Sequence, residues 1–567
     1  MKRTVESVDT PEGQDAIATA AALQPRTVGD LLAVFLESAG VQAAFGVLSV
    51  HNMPLLDALA RRNAIRYVCA RGEAGAVNMA DAHARITGHV GVAFTSTGAG
   101  AGNACGALIE ASTAGTPLLH ITGQVEAAFL DRGLADVHEA KDQLGLLTAV
   151  SKAAYRVWSP ETALGVFRQA LCTALTAPCG PVSIEIPIDL QGAPVPHWPL
   201  DIRPLPVPVA VPDESLLDAL AERLRAARRP LLWLGGGARH AGAPALRLLD
   251  AGFGAVTSIQ GRGVVNEGDP RSLGAFNLQP PVEAFYQSCD AMLVVGSRLR
   301  VPETARHTLR LPTPLYRADV DPCAQGKGYA DAMFVHGDAA LVLQGLADRL
   351  CGQMRTDPRF HADLAAARGK AEARLRENIG RYAALNDALH AAAGGEFNWI
   401  RDVTISNGTW GSRLFRLPRP YHGAHAAGGG IGQCLSMAIG AAVATPARRT
   451  LALVGDGGLA LNAAELPTAV QEDTGLVLLV MNDRGYGILR NLADAQFGGR
   501  RIYSDLHTPD FETLARAYGY RYHRIDDFND LEQRLRAILA SPSRATLIEF
   551  DMDAIGPFAQ PFSGPRI

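Results

Sequence analysis

The run from Gly455 to Arg490 reads GDGGLALNAAELPTAVQEDTGLVLLVMNDRGYGILR. It opens with Gly455-Asp456-Gly457-Gly458, directly after an apolar, strand-like stretch from Thr450 to Val454. It closes with Asn482-Asp483-Arg484-Gly485 after a second such stretch, Gly475 to Met481. A helix-length segment joins the two. Strand, helix and strand in that order give parallel neighbours. Asp456 and Asp483, 27 positions apart, then fall at the carboxyl ends of parallel strands, where open α/β sheets bind ligands. Glycines beside the first carboxylate let backbone N–H groups approach a phosphate, and paired oxygen ligands suit Mg²⁺. The pattern predicts a magnesium–diphosphate site.

The rest of the chain reads as more of the same architecture. Its 567 residues are enough for three or four domains. A composition 48% hydrophobic and 19% charged can fill several cores. The formal net charge of −4 argues against a nucleic-acid or membrane-surface partner. The eight cysteines form no CxxC pair, which fits reduced thiols in a cytoplasmic enzyme. The N-terminus lacks an apolar signal core, and no apolar run is long enough to span a membrane.

Two joints divide the chain: the proline-rich stretch Gly192 to Pro208 and the charged helical stretch Asp357 to Asn386. The expected organisation is a mobile leader over 1–24, then α/β domains over 25–195, 210–352 and 385–567, with mainly parallel sheets.

The first block holds a second piece of chemistry. A strand-like stretch, Ile65 to Ala70, leads into Arg71-Gly72-Glu73-Ala74 and a helical pattern. Glu73 falls in the first turn of that helix, where the helix dipole favours its charge. A glycine-rich turn follows at Thr95 to Asn103, and then Gly115 to Gln124. Near the start of the third block lie Ser406-Asn407-Gly408-Thr409-Trp410 and Ala427-Gly-Gly-Gly-Ile-Gly-Gln-Cys434.

In this order the motifs resemble thiamine-diphosphate (ThDP) enzymes, with acetolactate synthases and benzoylformate decarboxylases as the nearest patterns. The resemblance runs over nearly the whole chain from about residue 25. It implies a pyrimidine-binding domain, a central domain and a diphosphate-binding domain. Asp456, Asp483 and the Gly485 carbonyl would hold Mg²⁺. Gly457, Gly458 and Tyr486 would contact the cofactor, with Gly408 and Thr409 at the far end of its diphosphate. Ile431 would be the apolar wedge that bends the cofactor, and the Gly429 carbonyl would face its aminopyrimidine. Glu73 would hydrogen-bond the pyrimidine and promote loss of the C2 proton, in a pattern that often reads Arg-His-Glu; here Gly72 stands in the middle. The family also implies a site shared between two subunits, so a homodimer as minimal unit and a homotetramer as the usual assembly.

The reaction within the family is less constrained. Gly46 to Pro54 departs from the usual Gly-x-Pro-Gly loop, with Leu48 and Ser49 in place of Pro and Gly. Val50 and Ser96 stand where decarboxylases carry polar groups that handle substrate. Thr122-Gly-Gln-Val125 and Glu139 match the acetolactate-synthase version. Gln124, His51 and His138 are the polar candidates for substrate. Carboligation of a 2-oxo acid through an enamine is the first expectation, because no decarboxylase acid is present at Val50 or Ser96. Non-oxidative decarboxylation is the alternative, as are cleavage of a diketone or acyloin and a noncatalytic regulatory subunit. FAD is not expected: the segment that binds it in acetolactate synthases reads Arg298-Leu-Arg-Val-Pro302 here, and Leu234 to Ala238 lacks the third glycine of a dinucleotide turn.

Overall fold

The computed structural model describes residues 26–540, 545–562 and 564. The expected leader lies outside them. Among the described residues, seventeen strands form three sheets, and every pairing between these strands is parallel. The first sheet contains β1 (Ala43–Gly46), β2 (Arg66–Cys69), β3 (Gly91–Thr95), β4 (Leu118–Gln124), β5 (Ala153–Arg156) and β6 (Pro181–Pro187), in the order 2-1-3-4-6-5. The middle sheet contains β7 (Pro230–Leu234), β8 (Gly254–Thr257), β9 (Ala291–Val295), β10 (Leu315–Asp319) and β11 (Met333–His336), in the order 11-10-9-7-8. The last contains β12 (Phe397–Arg401), β13 (Gly423–His425), β14 (Arg449–Gly455), β15 (Val477–Asn482), β16 (Arg521–Ile525) and β17 (Thr546–Asp551), in the order 13-12-14-15-17-16. Counted from its own first strand, the last sheet repeats the order of the first.

Strand composition explains why these sheets are interior. β4 (LLHITGQ) and β15 (VLLVMN) are buried along their whole length, because helices cover both faces of a parallel sheet. In each outer sheet the chain runs from the first strand to one side and then returns to the other. That reversal opens a crevice at the carboxyl ends, where the site motifs lie.

The outer domains are joined by two helices, Glu73–Thr87 and Cys434–Ala444. Both are rich in Ala and Gly and buried nearly all round, as a helix enclosed by other elements must be. Small residues let their backbones approach closely. A Cβ on Gly440 would fall 2.0 Å from the Met79 carbonyl oxygen. A buried ion pair, Arg85–Asp81 at 2.6 Å, lies on the first of these helices, and Arg85 also donates to the His425 carbonyl at 2.6 Å.

The two expected joints differ in character. The stretch after Gly192 has no regular structure until the helix Glu214–Arg225. The charged joint is a pair of packed helices, Phe360–Ile379 and Tyr382–Ala393, whose Phe360, Leu364, Leu375 and Tyr382 enter the core shared by the central and last domains. Among the described residues, no helix is long and apolar enough to cross a membrane.

Candidate active site

The diphosphate motif folds as its local pattern predicts. β14 ends at Gly455, and Asp456 begins the short helix Asp456–Leu461. β15, its neighbour, ends at Asn482, so Asp483 lies beside Asp456. The Gly485 N–H donates to Asp456 Oδ2 at 2.8 Å. Asp456 Oδ1 is buried and has no hydrogen-bond partner. Burial, and then the charge of Asp483, raise the Asp456 pKa; burial also raises that of Asp483, with Arg490 opposing. A buried and a half-buried carboxylate that resist ionising together, one with an orphaned oxygen, fit a divalent cation, which would favour both charged forms. Among the described residues no group of three or more His, Cys, Asp or Glu side chains could hold a metal. A hard cation here would therefore draw on two carboxylates, a backbone carbonyl and ligand oxygens, as Mg²⁺ accepts.

The other expected cofactor contacts adjoin this pair unequally. Gly457 packs under the Tyr486 ring, where a Cβ would fall 2.7 Å from a ring carbon. Gly458 faces Asp402, whose Oδ2 accepts the Gly432 N–H at 2.8 Å. Asp402 is buried, and its pKa is raised to about 6 by that burial. It ties β12 to the loop bearing Gly429 and Ile431. Gly428 through Ile431 are exposed, so the wedge segment is open to a ligand. Gly408 lies beneath the Phe562 ring, and its neighbour Thr409 donates its hydroxyl to the Ile405 carbonyl at 2.7 Å. The Thr409 hydroxyl is thus used within its own π-helical turn rather than offered to a diphosphate. Ser406 has a buried hydroxyl without a partner and is the better placed donor in that turn.

The first domain assembles a separate patch at the ends of β1 to β4. Glu73 opens its helix, half-buried, and Oε2 accepts from Asn103 Nδ2 at 3.2 Å. Gly100 lies between Glu73 and Ser96, with room for neither to move inward. The Ser96 and Ser49 hydroxyls are 2.7 Å apart. His51 follows Ser49, and its ring stands 5.3 Å from that of His138, nearly perpendicular to it. Two glycines make this meeting possible. A Cβ on Gly123 would fall 2.2 Å from the His51 carbonyl oxygen, and one on Gly98 1.9 Å from that of His138. The His51 pKa lies below its ordinary value through burial and the neighbouring His138, with Asp136 opposing. Its Nδ1 is buried without a partner. Glu139 braces the loop by accepting the Gly133 and Asp136 N–H groups, each at 3.1 Å.

Gln124 departs from its expected role. It is buried; its amide donates to Glu185 at 3.2 Å, and its oxygen accepts the Val125 N–H at 2.8 Å. Gln143 joins the same network through Glu185, Thr97 and Gly98. Gln124 therefore supports the floor of the patch from inside.

Three further residues carry structure that sequence spacing does not reveal. Glu110, buried in the first domain, accepts the Gly428 N–H at 2.5 Å and Gln433 Nε2 at 3.3 Å. Arg300 of the central domain donates to the Ala427 carbonyl at 2.6 Å, and Arg298 donates to that of Thr113. Both arginines of the segment compared with a flavin site thus tie the outer domains to the central one. The Gly235 and Gly237 N–H groups, which a dinucleotide turn would offer to phosphate, donate to Val295 and Gly296.

No hydrogen bond or ring contact among the described residues joins Glu73, His51 or His138 to the carboxylate pair. Within one chain the two groups of residues thus form separate patches.

The family comparison agrees with this division. Residues 26–146 match the N-terminal TPP binding domain of thiamine pyrophosphate enzymes, residues 217–346 their central domain, and residues 405–550 their C-terminal TPP binding domain. A probable 2-ketoarginine decarboxylase of Pseudomonas aeruginosa is 34% identical over 93% of this chain and 95% of its own. The large subunit of acetolactate synthase isozyme 1 of Escherichia coli is 28% identical over 93% and 94%, and a probable acetolactate synthase large subunit of Methanocaldococcus jannaschii 26% over 89% and 88%. With all three domains in order and the two patches at the ends of matching strands, the chain belongs to the thiamine-diphosphate-dependent enzymes.

Proposed function

We propose that the protein is a Mg²⁺-dependent, non-oxidative 2-oxo acid decarboxylase. The observation that carries this reading is the paired histidines, His51 and His138, with the bonded Ser49 and Ser96 hydroxyls alongside. Bound ThDP would supply a nucleophilic carbon that adds to the 2-oxo carbonyl and a cationic ring that takes up the electrons of the breaking C–C bond. Release of an aldehyde then needs a proton at the reacting carbon. Imidazole exchanges protons near neutral pH, which Ser96 and Val50 cannot do. Sequence alone ranked carboligation first for want of such an acid; the histidine pair reverses that order. The relative named for 2-ketoarginine makes a 2-oxo acid with a basic side chain the first substrate to try.

The two patches, as half-sites, call for two subunits, Glu73 of each facing the carboxylate pair of the other. A homodimer is the smallest active unit on this reading, and a homotetramer and a cytoplasmic location fit the family. Asp456 and Asp483 hold Mg²⁺ with the Gly485 carbonyl; Gly457, Gly458 and Tyr486 line the diphosphate; Ile431 and Gly429 meet the rings. Flavin has no part in the reading. Carboligation is the second reading, favoured by the hydroxyl-only lining at Ser49 and Ser96. A noncatalytic subunit would not need the orphaned Asp456 oxygen.

The test is a panel of 2-oxo acids, basic side chains included, with CO₂, aldehyde and hydroxyketone measured together. Wild type should give mainly aldehyde. His51→Ala or His138→Ala should lower aldehyde by roughly 10²-fold, the low end of general acid–base assistance. Predominant hydroxyketone from wild type would overturn the decarboxylase reading.

A further inference from the structure

Glu73 is placed by a turn that it does not stabilise itself. β2 ends at Cys69, and the chain bends through Arg71 and Gly72 before the helix starts. The first turn of any helix leaves N–H groups without intrahelical partners. Gly72, in the N-cap position, has no side chain to accept them. The acceptor comes from another domain. Oε1 of Glu465 takes the Arg71 N–H at 2.9 Å and the Gly72 N–H at 3.1 Å, while Oε2 takes the Thr468 hydroxyl at 2.6 Å. Glu465 is only 2% exposed. A Cβ on Gly75 would fall 2.2 Å from Glu465 Oε1, so the helix's first turn lies directly against the carboxylate. The groups touching Glu465 thus flank Glu73 on both sides along the chain. A negative charge at this helix end is also favoured by the dipole.

We infer that Glu465 is a positioning residue for Glu73, holding from the C-terminal domain of the same chain the turn that aims the activating carboxylate. The inference rests on the reading of Glu73 as the residue that activates the cofactor. Glu465 follows closely on the Asp456 helix, yet its carboxylate is turned away from the metal pair and into the first domain. Glu465 therefore acts in the site to which its own chain contributes Glu73, not in the site to which its own chain contributes Asp456.

Two measurements on the full-length enzyme test this. Hydrogen exchange of the Arg71 and Gly72 amides should speed by at least about 10-fold in Glu465→Ala, with the 456–461 segment unchanged. Cofactor C2–H exchange and kcat should fall about 10- to 100-fold, the usual cost of removing an outer support, with KM and ThDP affinity within about 3-fold. The second measurement uses mixed dimers. Wild type paired with a chain carrying both Glu73→Gln and Glu465→Ala should keep about half of wild-type activity. Glu73→Gln paired with Glu465→Ala should fall below about a tenth. The reverse pattern, half activity in both, or loss in both would each overturn the inference. Should Glu465→Ala not accumulate as a folded dimer, the shorter Glu465→Asp is read by the same two pairings. Unchanged C2–H exchange in Glu73→Gln homodimers would instead sink the activation reading itself.

Discussion

The first and last domains share one strand order and differ in what stands at the strand ends. After β1 the first domain has Ser49 and His51; after β12 the last has Asp402 and Ser406. After β2 comes Glu73; after β13, the glycines and Ile431. After β3 come Ser96 and Gly98; after β14, Asp456 and Gly457. After β4 comes the loop leading to His138; after β15, Asp483 and Gly485. Each domain also buries a brace just after its first strand. Asn52 ties Ser49 to the Val47 and Thr95 carbonyls, and Asp402 ties Val403 to Gly432. The topology decides where a ligand can lie, and the loop residues decide which end of it each domain takes. On the proposed function, one domain serves proton transfer and the other charge compensation.

This division predicts variants that damage one function and spare the other. Glu73→Gln should slow C2–H exchange of bound ThDP by roughly 10²–10⁴-fold while the cofactor still binds. Deuterium exchange followed by NMR checks this, and weak cofactor binding instead would break the contrast. Asp456→Ala should do the converse. It leaves diphosphate and Asp483 charge uncompensated, about 3–5 kcal/mol or roughly 10²–10⁴-fold in ThDP affinity, with the fold intact by circular dichroism. Unchanged affinity in a ThDP titration would refute the metal assignment.

A smaller effect concerns pH. The charge of His138 helps to lower the His51 pKa, so His138→Ala should raise the His51 titration midpoint toward, but not to, about 6.5, since burial remains. NMR of the ring protons measures it, and a midpoint that falls would break the pairing. The sign also applies to stability. A histidine held neutral by the fold favours the folded state above its unfolded pKa, and that contribution is lost as pH drops through the folded value. The smallest effect is mechanical. Gly440→Ala should force apart the two helices that join the outer domains, costing about 1–3 kcal/mol in overpacking. The urea midpoint should fall, with C2–H exchange unchanged in the folded fraction.

Legibility in the sequence followed the range of the interaction. Asp456, Asp483 and the strands that carry them are local: a strand, a helix and a strand within one βαβ unit. Glu73 was legible for the same reason, standing where a strand gives way to a helix. His51 and His138 were legible as candidates but not as a pair, because they lie on different loops and meet only where Gly123 and Gly98 admit their backbones. Gln124 misled because motif position says nothing about Glu185, its partner from β6. Glu110, Arg298, Arg300 and Glu465 were silent, since each bonds to backbone of another domain and a backbone partner leaves no mark on residue identity.

The contact between the helices Glu73–Thr87 and Cys434–Ala444 has a consequence for how the chain can be cut. Nearly the whole middle of the sequence separates them, yet they pack through small side chains, and Arg85 of the first donates to the His425 carbonyl of β13, contacts that owe nothing to the covalent path between them. The irregular stretch after Gly192 takes no part in that contact; its Val195, Trp198 and Ile202 pack on the first domain. A chain opened there and made as two polypeptides has every surface it needs to reassemble, with the first domain returning to the last as a subunit rather than as a neighbour on a tether.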